Sequence, residues 1–442
     1  MKRINMAMLA IFLCSIFVVI GSAQESILDE YPELEPLVES VGEDDLSVLH
    51  LMGFKASVIA MNELGFEKNS RNILALTDAG YIAEIDDYTT EKALGAVMVT
   101  TGNSRGKGNL VNVHKPYNSP VWFAFFDKKS KDCVYLEVKS EILKTYLDRE
   151  RTDRSALINF MELDGEKIFA KISRENIDAD KLLSKPEAWQ EKMLAKVFGG
   201  NEFSLITICN LWVKGIPNDF LKVAELHDHI CPGLTSGYLI AEYVKEELPS
   251  SDPRNEYTVI AIPPWCKDDA FIQIFETNVG HKHMFVKWLT NEQKEKLPGE
   301  AKNVANIFIR EDKKTGKGEG IVVAFDWDKA YQLCGNVSGK DLKAFDTYRW
   351  WHTRLKMDLF MMDYLDKPEE LVTTIKEFTV DSAEIEKLKS AGANPLVELG
   401  IMEEEVDTGV VTEEVSVIPG WAYALVLIIL LLAIVVYYIK KG

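Results

Sequence analysis

Imidazole and thiol side chains cluster in one stretch of this chain. Of its seven histidines, four form two His-x-His pairs, His227/His229 and His281/His283, and the first pair runs straight into Cys231-Pro232-Gly233. Pro232 suits the first position of a helix, which makes Cys231 its N-cap, where the positive end of the helix dipole lowers the thiol pKa and favours a thiolate. His227 and His229 then fall on an extended segment whose alternate residues face one side. Gly233 and Gly237 let that helix lie close to a neighbour. A second thiol, Cys266, follows Pro263-Pro264-Trp265 and opens the next helix, ahead of Asp268 and Asp269. If His281-Lys282-His283 opens a strand, its two imidazoles point one way and Lys282 the other. Imidazole with thiolate suits zinc, and also iron or copper, better than calcium or magnesium. The candidate metal ligands are therefore His227, His229, Cys231, Cys266, His281 and His283, with zinc or another transition metal as the expected cofactor. Three bland readings stand beside these: a Cys231 to Cys266 disulfide, a solvated strand face for His281 and His283, and inert burial for Cys133, Cys209 and Cys334.

The elements that must position these groups read as a duplication. Hydrophobic period predicts a helix over 45–64, a strand over 72–77, a helix over 91–99 and strands over 109–114, 121–126 and 133–138. The order recurs as a helix over 225–247, a strand over 257–262, a helix over 268–275 and strands over 281–289, 304–310 and 320–325. Each copy is α-β-α-β-β-β, so the fold class is α+β, with helices on one face of a sheet. Residues 142–212 read as a helical connector, and 344–365 and 368–390 as amphipathic helices.

Composition bounds what such a chain can do. Its 442 residues suffice for several packed domains, and 69 acidic against 50 basic side chains give a net charge of −19, which repels a phosphate backbone. Nucleic acid is not an expected partner. Six cysteines are too few for a disulfide scaffold. Residues 1–23 have the charged, apolar and small-residue regions of a secretory signal, and 421–439 form an uncharged run followed by Lys440-Lys441. These ends predict a single-pass membrane protein, with one C-terminal transmembrane helix and the main body extracytoplasmic. The expected division is a signal (1–23), a first domain (24–141), a connector (142–212), a metal-binding domain (213–340), C-terminal helices (341–390), an acidic stalk (391–415), and an anchor with cytoplasmic stub (416–442).

The motifs also carry a family resemblance. His227-Asp228-His229-Ile230-Cys231-Pro232-Gly233, with Gly237, is similar to the His-x-His-x-Cys-Pro-Gly signature of the FmdE family, named for formylmethanofuran dehydrogenase, and Cys266-Lys267-Asp268-Asp269-Ala270 resembles its Cys-x-x-Asp-Ala signature. Gly106-Lys107-Gly108-Asn109 resembles that family's Gly-Lys-Gly-Asn turn, so both copies share the likeness. In the second copy His281-Lys282-His283 replaces the turn; in the first the signature shrinks to His50-Leu51-Met52-Gly53, and Glu91 stands where Cys266 does. The resemblance implies an α+β fold and a metal, usually zinc, with His229, Cys231 and Cys266 at or beside it. The favoured function is a membrane-anchored, extracytoplasmic metal-binding protein handling a metal ion or metal cofactor. The alternatives are a zinc-dependent enzyme, with Asp269 or Glu276 as acid or base, and a surface interaction protein with a structural metal.

Overall fold

The computed structural model describes residues 26–81, 84–85, 88–250, 252–253 and 255–403. Twelve strands are present among them: β1 (Ile73–Thr77), β2 (Glu84–Ile85), β3 (Tyr88–Thr89), β4 (Leu110–Asn112), β5 (Trp122–Asp127), β6 (Asp132–Val138), β7 (Phe169–Asn176), β8 (Asn255–Ala261), β9 (Met284–Val286), β10 (Val304–Asp312), β11 (Lys317–Phe325) and β12 (Val372–Val380). The helices that matter to the site are α1 (Val48–Leu64), α2 (Glu91–Thr101), α3 (Glu202–Lys214), α4 (Asn218–His227), α5 (Pro232–Glu247), α6 (Lys267–Phe275), α7 (Arg349–Met361) and α8 (Ser382–Lys389).

Two five-stranded mixed sheets share one plan. The first runs β4-β1-β5-β6-β7 and the second β9-β8-β10-β11-β12, with the first pair parallel and the rest antiparallel in each. Even the register matches, because Ala75 pairs with Leu110 as Val259 pairs with Met284. The expected α-β-α-β-β-β order is present in both, and each sheet gains a fifth strand beyond it. β7 lies inside the expected helical connector, and β12 inside a segment expected to be helix.

Burial follows the pleat. β5 reads Trp-Phe-Ala-Phe-Phe-Asp and is apolar on both faces because helices cover one side and a shared core the other. Trp122, Ala124 and Phe126 face a core that runs from the first sheet through α3, α4 and α5 to Val259, Phe308 and Val323 of the second. Phe123 and Phe125 face α1 and α2 instead. Each such buried side chain contributes roughly 1.5–3 kcal/mol, so the two sheets are joined by a continuous apolar layer. A third cluster, with Ile260, Ile307 and Val322, packs under Ile385 of α8 and under Leu396, Leu399 and Met402. The beginning of the expected acidic stalk is thus packed against the second sheet, since those apolar residues recur at helical spacing.

The expectation of a single-pass membrane protein is corrected. Among the described residues no helix is long and apolar enough to cross a membrane. The longest, α1, has 17 residues, spans about 26 Å at 1.5 Å per residue, and is spent on packing against the first sheet. The expected signal (1–23) and span (421–439) lie outside the described residues.

Glycine sets the helix crossings. A Cβ on Gly53 of α1 would lie 2.3 Å from the Ala93 carbonyl oxygen of α2, and one on Gly237 of α5 would lie 2.2 Å from the Lys267 carbonyl oxygen of α6. Gly95, also helical, has nothing within 4 Å. Gly237→Ala should therefore destabilise by about 1–3 kcal/mol through overpacking, whereas Gly95→Ala should stabilise by roughly 0.5–1 kcal/mol. Urea denaturation of the two variants checks this, and shifts of the same sign would refute it.

Asp78, just after β1, is a buried acid. Its Oδ1 accepts from the Trp122 amide at 3.0 Å while Oδ2 has no partner. Burial pushes its pKa from 3.8 up to about 8, against the pull of the Trp122 hydrogen bond. The folded state thus binds this proton more tightly than the unfolded chain, so the favourable contribution is complete below pH 3.8 and is lost as pH rises through about 8. Asp78→Asn should flatten the stability slope across that window in denaturation series. An unchanged slope would show that Asp78 is ionised in the fold.

Candidate metal centre

The signature loop is a helix break. A helix running through 225–247 is impossible because Pro232 has no N–H to donate and its ring would strike the carbonyl of residue 228. The chain answers by ending α4 at His227, placing Asp228 in the left-handed region at φ 70°, and restarting at α5 with Cys231 as N-cap and Pro232 in its first turn. His227 therefore closes a helix rather than lying on an extended segment. Cys266 caps α6, the helix that crosses α5 at Gly237.

This crossing assembles the donors. The ligand atoms of His227, His229 and Cys231 all lie within 4.8 Å of one another. His227 Nε2 is 3.8 Å from Cys231 Sγ, and the two imidazole centroids are 4.5 Å apart. The Cys266 thiol stands beside Cys231 and His227 and interacts with both. A Cβ on Gly233 would fall 2.9 Å from the Cys266 Cβ and 3.7 Å from Cys231 Sγ, so only glycine leaves room for both thiols. All five described cysteines are free. Cys133, Cys209 and Cys334 are buried, the first two in contact within the shared core.

The donors hold one another in unequal protonation states. The Cys231 hydrogen bond, aided by those from His227, draws the Cys266 pKa well below the usual thiol range despite burial, while the same bond and full burial push Cys231 up. Burial alone would lower His227, but hydrogen bonds to Asp269 and Cys266 outweigh it and raise its pKa to about 9. The negative charge is thus favoured on Cys266 over Cys231, beside a His227 ring that holds its proton more tightly than a free imidazole.

Carboxylates aim the imidazoles. Asp269 Oδ2 is 2.7 Å from His227 Nδ1, leaving Nε2 directed at Cys231. Asp228 Oδ1 is hydrogen-bonded to His229 Nδ1, and Asp228 is itself held by Lys115 of the first sheet's loop at 2.9 Å. Burial would raise the Asp228 carboxyl, but His229 and Lys115 bring it down to about 2. This carboxylate–histidine arrangement fixes a tautomer in metal sites. The Cys266 loop is pinned in turn by Asp268, which accepts from the Trp265 amide at 2.7 Å, Lys267 Nζ at 2.9 Å and Asn306 Nδ2 at 3.0 Å.

The other histidine pair lies elsewhere. Lys282 is in the left-handed region at φ 62° and β9 begins only at Met284, so His281-Lys282-His283 forms a turn rather than a strand start. His283 Nε2 is 2.8 Å from Glu256, His281 Nδ1 contacts Asn278, and both line a separate cavity with Lys313. Glu276 caps the far end of α6. On the helix beside the first sheet, His50 Nδ1 accepts from the Ser47 amide at 3.2 Å, and burial lowers its pKa to about 4, which makes it a neutral helix cap.

Two site residues had no sequence signal. Lys115 reaches Asp228 from 113 positions away. Asp358 of α7 is fully buried, accepts from Thr235 Oγ1 at 2.7 Å, and is raised well above the carboxylate range by burial. Only the cap position of Asp228, inside the signature itself, was open to inspection.

Residues 226–374 match, in one copy, the family described as FmdE, Molybdenum formylmethanofuran dehydrogenase operon. The match begins at the end of α4 and takes in the second sheet into β12, so this stretch is an FmdE domain. No curated protein matches the chain. The domain and its His/Cys cluster together point to a metal-related role.

Replacing Asp269 tests the electrostatics directly. Asp269→Asn removes the first of the bonds that raise His227, so its imidazole should titrate below the wild-type value of about 9 in metal-free protein. NMR titration of the His227 ring reads this, and an unmoved midpoint would remove Asp269 as its partner.

Proposed function

We propose that this protein is a metal-binding protein whose FmdE domain holds a transition metal, zinc being the best match, through His227, His229 and Cys231 with Cys266 as the neighbouring donor. The observation that carries this is the convergence of His227, His229 and Cys231 within 4.8 Å, with the Cys266 thiol bonded into the same group. Two thiols and two imidazoles are soft and borderline donors of the kind zinc selects. Asp269 and Asp228 each occupy an Nδ1, which leaves both Nε2 atoms available, that of His227 facing Cys231. When bound, the metal supplies Lewis acidity; the chain supplies donors, orientation and access.

Access separates this reading from a structural metal. A cleft of about 1370 Å³ opens on His229, Cys231 and Cys266, so the centre is within reach of a small molecule. Handling of a metal ion or metal-bound compound follows more directly than catalysis. Asp269 is engaged on His227 and Glu276 stands at the far end of α6, so neither is placed as a free acid or base.

The first sheet reads as a degenerate FmdE-like copy, its fifth strand β7 lying beyond the expected limit at 141 as β12 of the second lies beyond 340. The identical strand order and register support this, as does the pairing of Gly108 at φ 64° with Lys282 at φ 62° before the equivalent short strands. Its Met52 and Glu91 offer one poor and one hard ligand.

Elemental analysis of the purified chain tests the assignment. Cys231→Ala and Cys266→Ala should each empty the centre, while changes at Met52 and Glu91 leave metal content unchanged. Loading must expel both the proton His227 holds below about pH 9 and the Cys231 thiol proton, so metal affinity should rise with pH through that value without levelling there, with proton release on binding. Full occupancy in the double cysteine variant would sink the proposal.

A further inference from the structure

We infer that the cleft beside the His/Cys centre is a binding site for a small organic anion with a flat, conjugated body. The inference rests on the metal-centre reading for the function of the bound molecule, but the aromatic and basic side chains that carry it are not among the donors. Aromatic rings reach the cleft from two sides of the sequence. Trp265 stacks toward Trp327 at 5.5 Å, and Trp327 toward Tyr331 at 5.9 Å. Phe345 lies 5.8 Å from Trp350, Trp350 4.9 Å from Phe203, and Phe203 5.2 Å from His229. The second series thus leads from the cleft's rim to an imidazole of the centre.

Two of these rings face water at a cost. Trp265 is 49% exposed and Phe345 62% exposed, and both line the cleft. Exposed rings at the margin of a concave site are ready to stack on a flat ligand, and each such contact gives roughly 0.5–1.5 kcal/mol beyond simple burial. The volume of about 1370 Å³ exceeds what a single ion needs and suits a molecule of cofactor size.

Charge specifies the rest of the ligand. The chain carries a net charge of −19, yet the charged side chains lining this cleft, apart from the centre's own donors, are Lys340, Lys343 and Arg354 against the single carboxylate Asp328. The local sign is inverted. Arg354 is held in place, with its guanidinium 5.1 Å over Phe345, 5.4 Å over Trp350 and 5.9 Å over Phe203, and it donates to the Leu342 carbonyl at 3.1 Å. A fixed guanidinium with two flexible lysines fits a carboxylate, sulfonate or phosphate group. A nucleic-acid chain fits badly, because the chain's net charge of −19 repels a long phosphate backbone.

The test uses the full chain and two planar anions, FMN and pyrene-1-sulfonate, with riboflavin as the ring without the charge and inorganic phosphate as the charge without the ring. Fluorescence titration should show saturable binding of both planar anions, with riboflavin and phosphate about tenfold weaker or more. Lys340→Glu/Lys343→Glu should weaken the anions by about tenfold while leaving riboflavin nearly unchanged. Trp265→Ala should weaken both anions and riboflavin alike by about threefold to tenfold. Circular dichroism and melting should match wild type, as these side chains lie at the cleft surface. Failure of both anions to bind, or binding untouched by all three substitutions, overturns the inference. Zinc content is read on the same samples: zinc retained with no anion binding refutes this site alone, and anion binding without any metal refutes the metal centre while leaving the cleft assigned.

Discussion

The centre depends on how closely two helix N-termini can approach. Cys231 and Cys266 each begin a helix, and α5 and α6 bring those beginnings together only because Gly237 lets backbone meet backbone at the Lys267 carbonyl. Gly233, one turn nearer the caps, then keeps a methyl out of the space between the thiols. Any side chain at either position would separate the helices before it disturbed a donor. Both thiols also lie where helix dipoles favour a negative charge, and the remaining asymmetry between them follows from their mutual hydrogen bond. A contact between glycine and carbonyl thus brings the two sulfurs together.

Around that crossing the molecule is arranged to hold rather than merely enclose. Asp268 fixes the Cys266 loop with three accepted hydrogen bonds, and its buried partner Lys267 also reaches the Pro263 carbonyl at 2.9 Å. A buried ion pair of this kind adds little net stability over apolar packing, but removing one partner strands the other, so it locks geometry. The first sheet contributes from the other side. Glu225 of α4 accepts from the Asn112 amide at 2.9 Å and pairs with Arg105, and Lys115 holds Asp228. The helix that ends in His227 is therefore gripped by the sheet that carries no donors of its own.

How much of this is legible in the sequence depends on the range of the determining force. Proline chemistry acts locally, so Pro232 betrays the cap at Cys231, and the two glycines betray a crossing. The donors' grouping follows from the same few residues, though not the helix that ends at His227. β12 is disguised because Val372, Ile375 and Phe378 recur every three residues, as on a helix. The β-branched run of Thr373, Thr374, Ile375 and Thr379 is the truer signal for an edge strand with one exposed face. β7 is hidden because charged residues interrupt its alternation. Lys115 and Asp358 act across more than a hundred positions, where no spacing rule reaches.

The two sheets diverge where one turn is covered and the other is not. In each, the chain enters the short parallel strand through a left-handed residue, Gly108 at φ 64° and Lys282 at φ 62°. Gly108 is hemmed in: a Cβ there would fall 2.3 Å from Asn218 Oδ1 of α4, and Trp212 Nε1 donates to its carbonyl at 2.7 Å. Conformation and space both demand glycine. Lys282 is exposed, so a side chain there meets only the backbone preference, about 1–2 kcal/mol. The first turn thus has room only for glycine beneath the helix it supports, while the second accommodates His-Lys-His, with His283 and Lys313 both on Glu256 at the surface. The two sheets thus divide the work: the one that braces α4 carries the tight glycine turn, and the one that receives the helix's final histidine lies with the two thiols.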